Sequence, residues 1–285
     1  MFERRPPAAP PHAALVTGAT SGIGQAFAMA LPPSTNLVLS GRDADRLAAL
    51  EGTLASPLRS VRTVAADLAS ADGRDAVVAA ALAMDVDLLI NNAGLGQMGP
   101  FLATEAEASL AAIEVNVVAC VALARALLPA MLARAAETGR RAGLINVAST
   151  AAFVPVPQMA VYAASKAFLL SFGESLKVEL ADRPIDIATL CPGPVRTAFA
   201  ERAGYAGRPL PGTIEPETVA SLALERLGRH GVVFTDPLSE AALKPLTLAR
   251  AAVARTLRLG FDLNERWQQR GSRDRPHNEG PVPRP

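Results

Sequence analysis

A short apolar run, Ala13 to Thr17, ends in Gly18-Ala19-Thr20-Ser21-Gly22-Ile23-Gly24, and a helical pattern follows over 25–31. Strand, glycine-dense turn and helix, in that order, restrict the fold more than any other stretch. Such a turn presents backbone N–H groups and a helix N-terminus, and its glycines have no side chain to hold a ligand away, so phosphate suits it. The spacing is G-x-x-x-G-x-G, not the general G-x-G-x-x-G. Taken alone, it is also what a plain tight turn looks like.

The alternation continues. Strand-like runs at 36–40, 61–66, 87–90, 144–148, 185–191 and 232–234 are separated by helical patterns at 44–51, from about 69 to 84, at 105–136, around Tyr162 to 181, and at 216–229. Pro32-Pro33 stops the first helix before the second strand. Alternating strands and helices predict an α/β, three-layer, Rossmann-like doubly wound fold, with a central parallel sheet of about seven strands and helices on both faces. The expected organisation is a lead-in at 1–11, one catalytic domain at 12–245 with a lid around 197–215, an amphipathic segment at 246–270 and a disordered tail at 271–285.

Ligands of such sheets bind at the C-terminal strand ends. The second strand ends in Ser40-Gly41-Arg42, where an acidic residue would bind the ribose 2′-hydroxyl of NAD. Arg42 instead offers a charged fork for a 2′-phosphate, which favours NADP over NAD, while Asp43 reads as a helix N-cap. Asp67-Leu68 ends the third strand and Asn91-Asn92-Ala93-Gly94 the fourth; the asparagines can close a turn or tie strands together. Asn116 interrupts the apolar face of the 105–136 helix and asks for a polar partner. Pro192-Gly193-Pro194-Val195-Arg196-Thr197 breaks regular structure after the sixth strand, and the segment to Glu215 suits a mobile lid.

The stretch from Ser149 to Lys166 carries the chemistry. Tyr162 and Lys166 stand at i and i+4 on one helix face, where an ammonium favours phenolate over phenol and makes Tyr162 a plausible acid or base. Ser149 supplies a hydroxyl able to polarise a carbonyl. Only three residues are Lys (166, 177 and 244) against 25 Arg, so a chain that writes Arg nearly everywhere keeps a compact ammonium here.

Together, Thr17-Gly18-x-x-x-Gly22-Ile23-Gly24, Asp67, Asn91-Asn92-Ala93-Gly94, Asn116, Ser149, Tyr162-x-x-x-Lys166 and Pro192-Gly193 resemble the short-chain dehydrogenase/reductase family over 13 to about 235. The resemblance implies hydride transfer between NAD(P) and a carbonyl or secondary alcohol. Tyr162 would be the acid/base and Ser149 would position the oxygen. Lys166 would hold the nicotinamide ribose and lower the phenol pKa, and Asn116 would keep a water relaying protons. It also implies cofactor contacts at Gly18, Thr20, Ser21, Gly22, Ile23, Gly24, Arg42, Asp67 and Leu68, at Asn91, Asn92, Ala93 and Gly94, at Tyr162 and Lys166, and at Pro192, Gly193, Val195 and Thr197. Asp67 would meet the adenine, Asn91 and Gly94 the ribose side, and Thr197 the carboxamide. Family members commonly pair through the helices at 105–136 and 158–181, so a homodimer or homotetramer is expected.

The remaining composition narrows partners. With 28 basic and 27 acidic residues there is no global field for nucleic acid or an anionic membrane. Two cysteines, 120 and 191, suggest no disulfide framework, and three histidines form no metal-ligand spacing. The N-terminus lacks a signal-peptide core and no uninterrupted apolar run of about 18 residues occurs, so a cytoplasmic protein without a spanning helix is expected. Phe153, Val154, Pro155, Val156, Pro157 and Met159 are expected to form an apolar wall for a small-molecule carbonyl or alcohol. A non-catalytic NADP(H) sensor or scaffold is the alternative. A serine hydrolase fails for lack of G-x-S-x-G and a central His.

Overall fold

The computed structural model describes residues 10–205 and 212–273. The expectations for 1–9, the middle of the lid at 206–211 and the tail at 274–285 lie outside these, as do side chains beyond 261. The strands are β1 (Ala13–Thr17), β2 (Asn36–Gly41), β3 (Val61–Ala65), β4 (Leu88–Asn91), β5 (Ala142–Val147), β6 (Ile185–Cys191) and β7 (Val232–Phe234). The helices are α1 (Gly22–Ala30), α2 (Ala44–Leu54), α3 (Ala71–Ala83), α4 (Ala106–Ile113), α5 (Ala119–Thr138), α6 (Ala160–Glu179), α7 (Phe199–Arg202), α8 (Pro216–Arg226) and α9 (Pro237–Arg273).

All seven strands are parallel, in the order β3-β2-β1-β4-β5-β6-β7. The order reverses between β1 and β4, which places a crevice beyond Thr17 and Asn91, where doubly wound sheets take ligands. Alternate side chains divide the core into two layers. Val16, Leu39, Ile90, Ile145 and Leu190 meet Phe27 of α1, Leu47 of α2 and Val219 of α8. Leu15, Val38, Leu89, Leu144 and Ile187 meet Val77 of α3 and Leu123, Leu127 and Met131 of α5.

Three departures from the sequence pattern have local causes. β4 begins one residue later than expected, because the buried Asp87 carboxylate accepts from the N–H groups of His12 (2.9 Å) and Ala13 (3.1 Å), fastening the start of β1. The helix expected over 105–136 is broken by a π turn at Glu114–Val118, centred on Asn116. The amphipathic end belongs to a longer helix, α9, that starts at Pro237 and runs along α6, with Arg250 paired to Glu174 (2.6 Å) and Arg258 to Asp182. By length and composition Ala106–Thr138 is apolar enough to cross a membrane; half of its most apolar window is buried inside the fold.

Candidate active site

Beyond the C-terminal ends of the strands lies a cavity of about 870 Å³. Of the site residues named from sequence, Gly18, Thr20, Ser21, Gly22, Ile23, Arg42, Asp67, Leu68, Asn92, Ala93, Gly94, Ser149, Tyr162, Lys166, Pro192, Gly193, Val195 and Thr197 all line it. Gly24, Asn91 and Asn116 stand behind it, each for a packing reason.

A side chain at Gly24 would come within 2.2 Å of the Gly18 carbonyl oxygen and 2.5 Å of Asn92 Nδ2. The missing side chain lets α1 close onto the β1 turn. Asn91 is buried and donates to Asn146 Oδ1 (3.0 Å) and the Cys120 carbonyl (3.4 Å), tying β4 to β5 and α5 rather than facing a ribose. Asn92 takes the cavity position, and its amide donates to the Thr17 carbonyl (2.8 Å). Asn116 is fully buried. Its Oδ1 accepts from Leu95 N (2.8 Å), while Nδ2 donates to Leu95 O (2.9 Å) and Ser165 Oγ (2.9 Å). The partner that the lone asparagine demanded is therefore the backbone after β4, and one Oδ1 lone pair is left for any further contact.

At one end of the cavity the glycine turn is held against its surroundings. Gly18 and Gly22 have φ of +65° and +56°, and a Cβ at Gly22 would come 2.8 Å from Thr197 Cγ2. The N-cap of α1, Ser21, makes no side-chain cap bond, so the first N–H groups of the helix are turned to the cavity without one. At the end of β2, Ser40 Oγ is buried without a partner among the described residues, and Gly41 lets Thr20 approach. Asp43 does cap α2, accepting from Arg46 N (3.0 Å) and pairing with the Arg46 guanidinium (3.2 Å), which leaves Arg42 as the charge lining the cavity here.

At the other end Ser149 Oγ accepts from Ala151 N (3.1 Å), holding the hydroxyl beside Tyr162. Burial is the larger influence on the phenol and pushes its pKa up; the hydrogen bond with Ser149 acts in the opposite direction. Burial also brings the Lys166 ammonium down to about 8. Lys166 Nζ donates to the Val147 carbonyl (2.8 Å) and lies over the phenol ring, 5.7 Å from its centroid. The sequence argument has the ammonium lowering the phenol pKa; in the structure the ammonium lies over the ring and burial is the larger influence, acting upward.

The expected apolar wall is built differently. Of residues 153–159 only Met159 lines the cavity; Phe153 packs on Phe234 (centroids 5.6 Å apart) and Val154 is exposed. The wall is instead Leu95, Gly96 and Met98 after β4, with Phe199, Ala200, Ala203 and Tyr205 from the lid. Phe199 lies against Tyr162, centroids 5.4 Å apart, and a side chain at Gly96 would come 2.4 Å from its ring. Gly96 and Met98 carried no motif that could have marked them. No cluster of three His, Cys, Asp or Glu able to hold a metal occurs among the described residues.

The family model for short chain dehydrogenases matches residues 12–205. Among curated relatives, the chain is 36% identical over 224 residues to a 1-deoxy-11-beta-hydroxypentalenate dehydrogenase of Streptomyces exfoliatus, covering 76% of this chain and 80% of that one. It is 31% identical over 254 residues to dehydrogenase/reductase SDR family member 7B of Bos taurus, covering 82% and 77%. A solved short-chain dehydrogenase from Sphingobium yanoikuyae in complex with NADPH superposes with a TM-score of 0.71 at 31% identity, over 85% of this chain and 94% of that one. A short-chain dehydrogenase/reductase from Burkholderia phymatum in complex with NAD also gives 0.71, at 28% identity, over 86% and 94%. With the glycine turn, the Ser149, Tyr162 and Lys166 group and the reversed parallel sheet in place, the chain belongs to the short-chain dehydrogenase/reductase family.

Proposed function

We propose that the protein is an NADP-dependent oxidoreductase that interconverts an apolar carbonyl compound and its secondary alcohol, with Tyr162 as acid/base. The carrying observation is the cavity lining, where Ser149 Oγ is held by Ala151 N (3.1 Å), Tyr162 stands on the same wall and Lys166 Nζ lies over the phenol ring. When bound, the nicotinamide dinucleotide supplies or accepts the hydride. The glycine turn and the α1 N-terminus would hold its diphosphate, Arg42 the 2′-phosphate and Asp67 with Leu68 the adenine. Asn92, Gly94 and Lys166 would face the ribose on the nicotinamide side, and Thr197 the carboxamide.

In reduction Ser149 orients the substrate oxygen and Tyr162 gives its proton to the oxygen as it becomes negative; in oxidation Tyr162 takes that proton. Phe199, Leu95, Met98 and Met159 exclude water and favour an uncharged substrate. Arg42, together with the missing carboxylate at the end of β2, supports NADP.

A screen of aldehydes, ketones and secondary alcohols with both cofactors, followed at the nicotinamide absorbance, tests the reading. Tyr162→Phe is expected to lower turnover by about 10²–10⁴ with NADPH binding retained; unchanged turnover refutes the assignment. Arg42→Asp is expected to weaken NADPH more than NADH, and equal effects refute the NADP preference. For assembly, we propose pairing across α4 and α6, where Leu110, Ile113 and Phe168 are exposed; sedimentation of Phe168→Glu as a monomer supports this, and an unchanged oligomer excludes it.

A further inference from the structure

The four-residue helix α7 touches the glycine turn as well as the substrate end of the cavity. Its root is fastened at both sides: Val195 bridges to Ile214, Arg196 N donates to Ile214 O (2.8 Å), and the Arg196 guanidinium pairs with Glu215 (2.6 Å). From this root Phe199 reaches Tyr162, the Ala203 carbonyl accepts from Met98 N (2.7 Å), and Arg202 Nη2 donates to Ser21 Oγ (3.1 Å). Thr197 leans on the same turn at Gly22.

The Arg202 contact has an electrostatic oddity. Its guanidinium has no carboxylate within ion-pair distance among the described residues, in contrast to Arg196. It rests on the neutral hydroxyl of Ser21, the N-cap of α1, where the helix dipole presents positive charge. A cation beside a helix N-terminus is of the wrong sign unless an anion lies between them. Both Arg202 and Ser21 line the cavity, so an anion held by the turn would be within the reach of the guanidinium.

We infer that Arg202 is a binding arm for the diphosphate of the dinucleotide, reaching from the lid side what the glycine turn holds from the sheet side. This rests on the dinucleotide reading given above and adds a residue to it. Arg202 and Phe199 share one short helix. Diphosphate binding therefore fixes the aromatic wall beside Tyr162, and cofactor binding organises the substrate end. Arg42 and Arg202 divide the anionic groups: Arg42 discriminates between the two cofactors, and Arg202 grips the part they have in common.

The test is the dissociation constant of NADPH and of NADH, read by nicotinamide fluorescence, for the wild type, Arg202→Ala and Arg202→Lys, with ADP and adenosine as competing probes. Arg202→Ala is expected to weaken both cofactors by the same factor, about tenfold, the scale of one charge-assisted hydrogen bond. Arg202→Lys should recover part of the loss. ADP should weaken with the cofactors while adenosine stays unchanged, and the thermal midpoint without cofactor should not move. Unchanged cofactor affinity in Arg202→Ala overturns the inference, as does a loss confined to NADPH or one shared by adenosine. A wild-type protein that binds neither dinucleotide would instead overturn the proposed function, and this inference with it.

Discussion

Replacing Asn116 by Ala tests whether the π turn exists to serve the loop after β4. The side chain is fully buried and makes three hydrogen bonds, at 2.8, 2.9 and 2.9 Å, to Leu95 N, Leu95 O and Ser165 Oγ. Each bond contributes about 1 kcal/mol net, and a buried backbone group left without a partner costs about 1–3 kcal/mol. Ser165 Oγ loses less, because it still donates to the Tyr162 carbonyl (2.7 Å). The expected loss is therefore about 3 kcal/mol, a large part of a typical stability of about 5–15 kcal/mol. At about 2–4 °C per kcal/mol this lowers the thermal midpoint by roughly 6–12 °C. Urea denaturation followed by circular dichroism gives the free energy directly. Asn116→Asp should not restore it, since a carboxylate keeps only the acceptor half. A cycle with Ser165→Ala should show a coupling of about 1 kcal/mol. Turnover should fall as well, because Gly94, next to Leu95, packs between Asn116 and Lys166, a Cβ there lying 3.3 Å from each. A stability loss under about 1 kcal/mol, or rescue by Asp, would refute the reasoning.

Gly173→Ala places a Cβ 2.0 Å from Thr189 Oγ1, so α6 must lift off β6 and carry Tyr162 and Lys166 with it. The expected cost is about 1–3 kcal/mol with a drop in turnover, and a wild-type urea midpoint would show that α6 has room to move. Lys166 has a folded pKa of about 8 against 10.5 unfolded. Below pH 8 both states hold the proton; between about 8 and 10.5 only the unfolded state does, so this group makes stability rise with pH by up to about 3 kcal/mol. The buried thiols act in the opposite direction, so the quantity to measure is wild type minus Lys166→Met, whose difference should grow across that window; a flat difference contradicts the lowered value. Burial pushes Cys120 up to about 11 and raises Cys191 further, so neither thiol should react with a disulfide reagent at pH 8 until urea is added. Rapid labelling of the native protein would overturn that.

The sheet was legible because its strands are written locally. β1, β6 and β7 have the bounds that their apolar runs predict, and the parallel order follows from the alternation with helices. Tyr162 and Lys166 were legible for a similar reason, since i and i+4 on a helix need no tertiary information to share a face. The glycine motif was only partly legible. Gly18 and Gly22 line the cavity, while Gly24 lies behind it, where α1 approaches Gly18 and Asn92. The break in the long helix could not be read, because Asn116 bends the chain to satisfy Leu95, 21 residues earlier.

The sequence by itself determined the alternation of strands and helices, the glycine turn after β1, the placing of Tyr162 and Lys166 on one helix face and the arginine at the end of β2. These depend on periodicity and on neighbours within a turn or two. Only the tertiary structure decided which residues close the pocket, how burial acts on the phenol, and which cation reaches the turn. Arg202 and Ser21 are 181 residues apart. Phe199 meets Tyr162 only because the β6 crossover brings the lid back over α6. Contacts of that range depend on the packing of the whole sheet, and desolvation depends on everything that surrounds a group, so neither is written in any one stretch of chain.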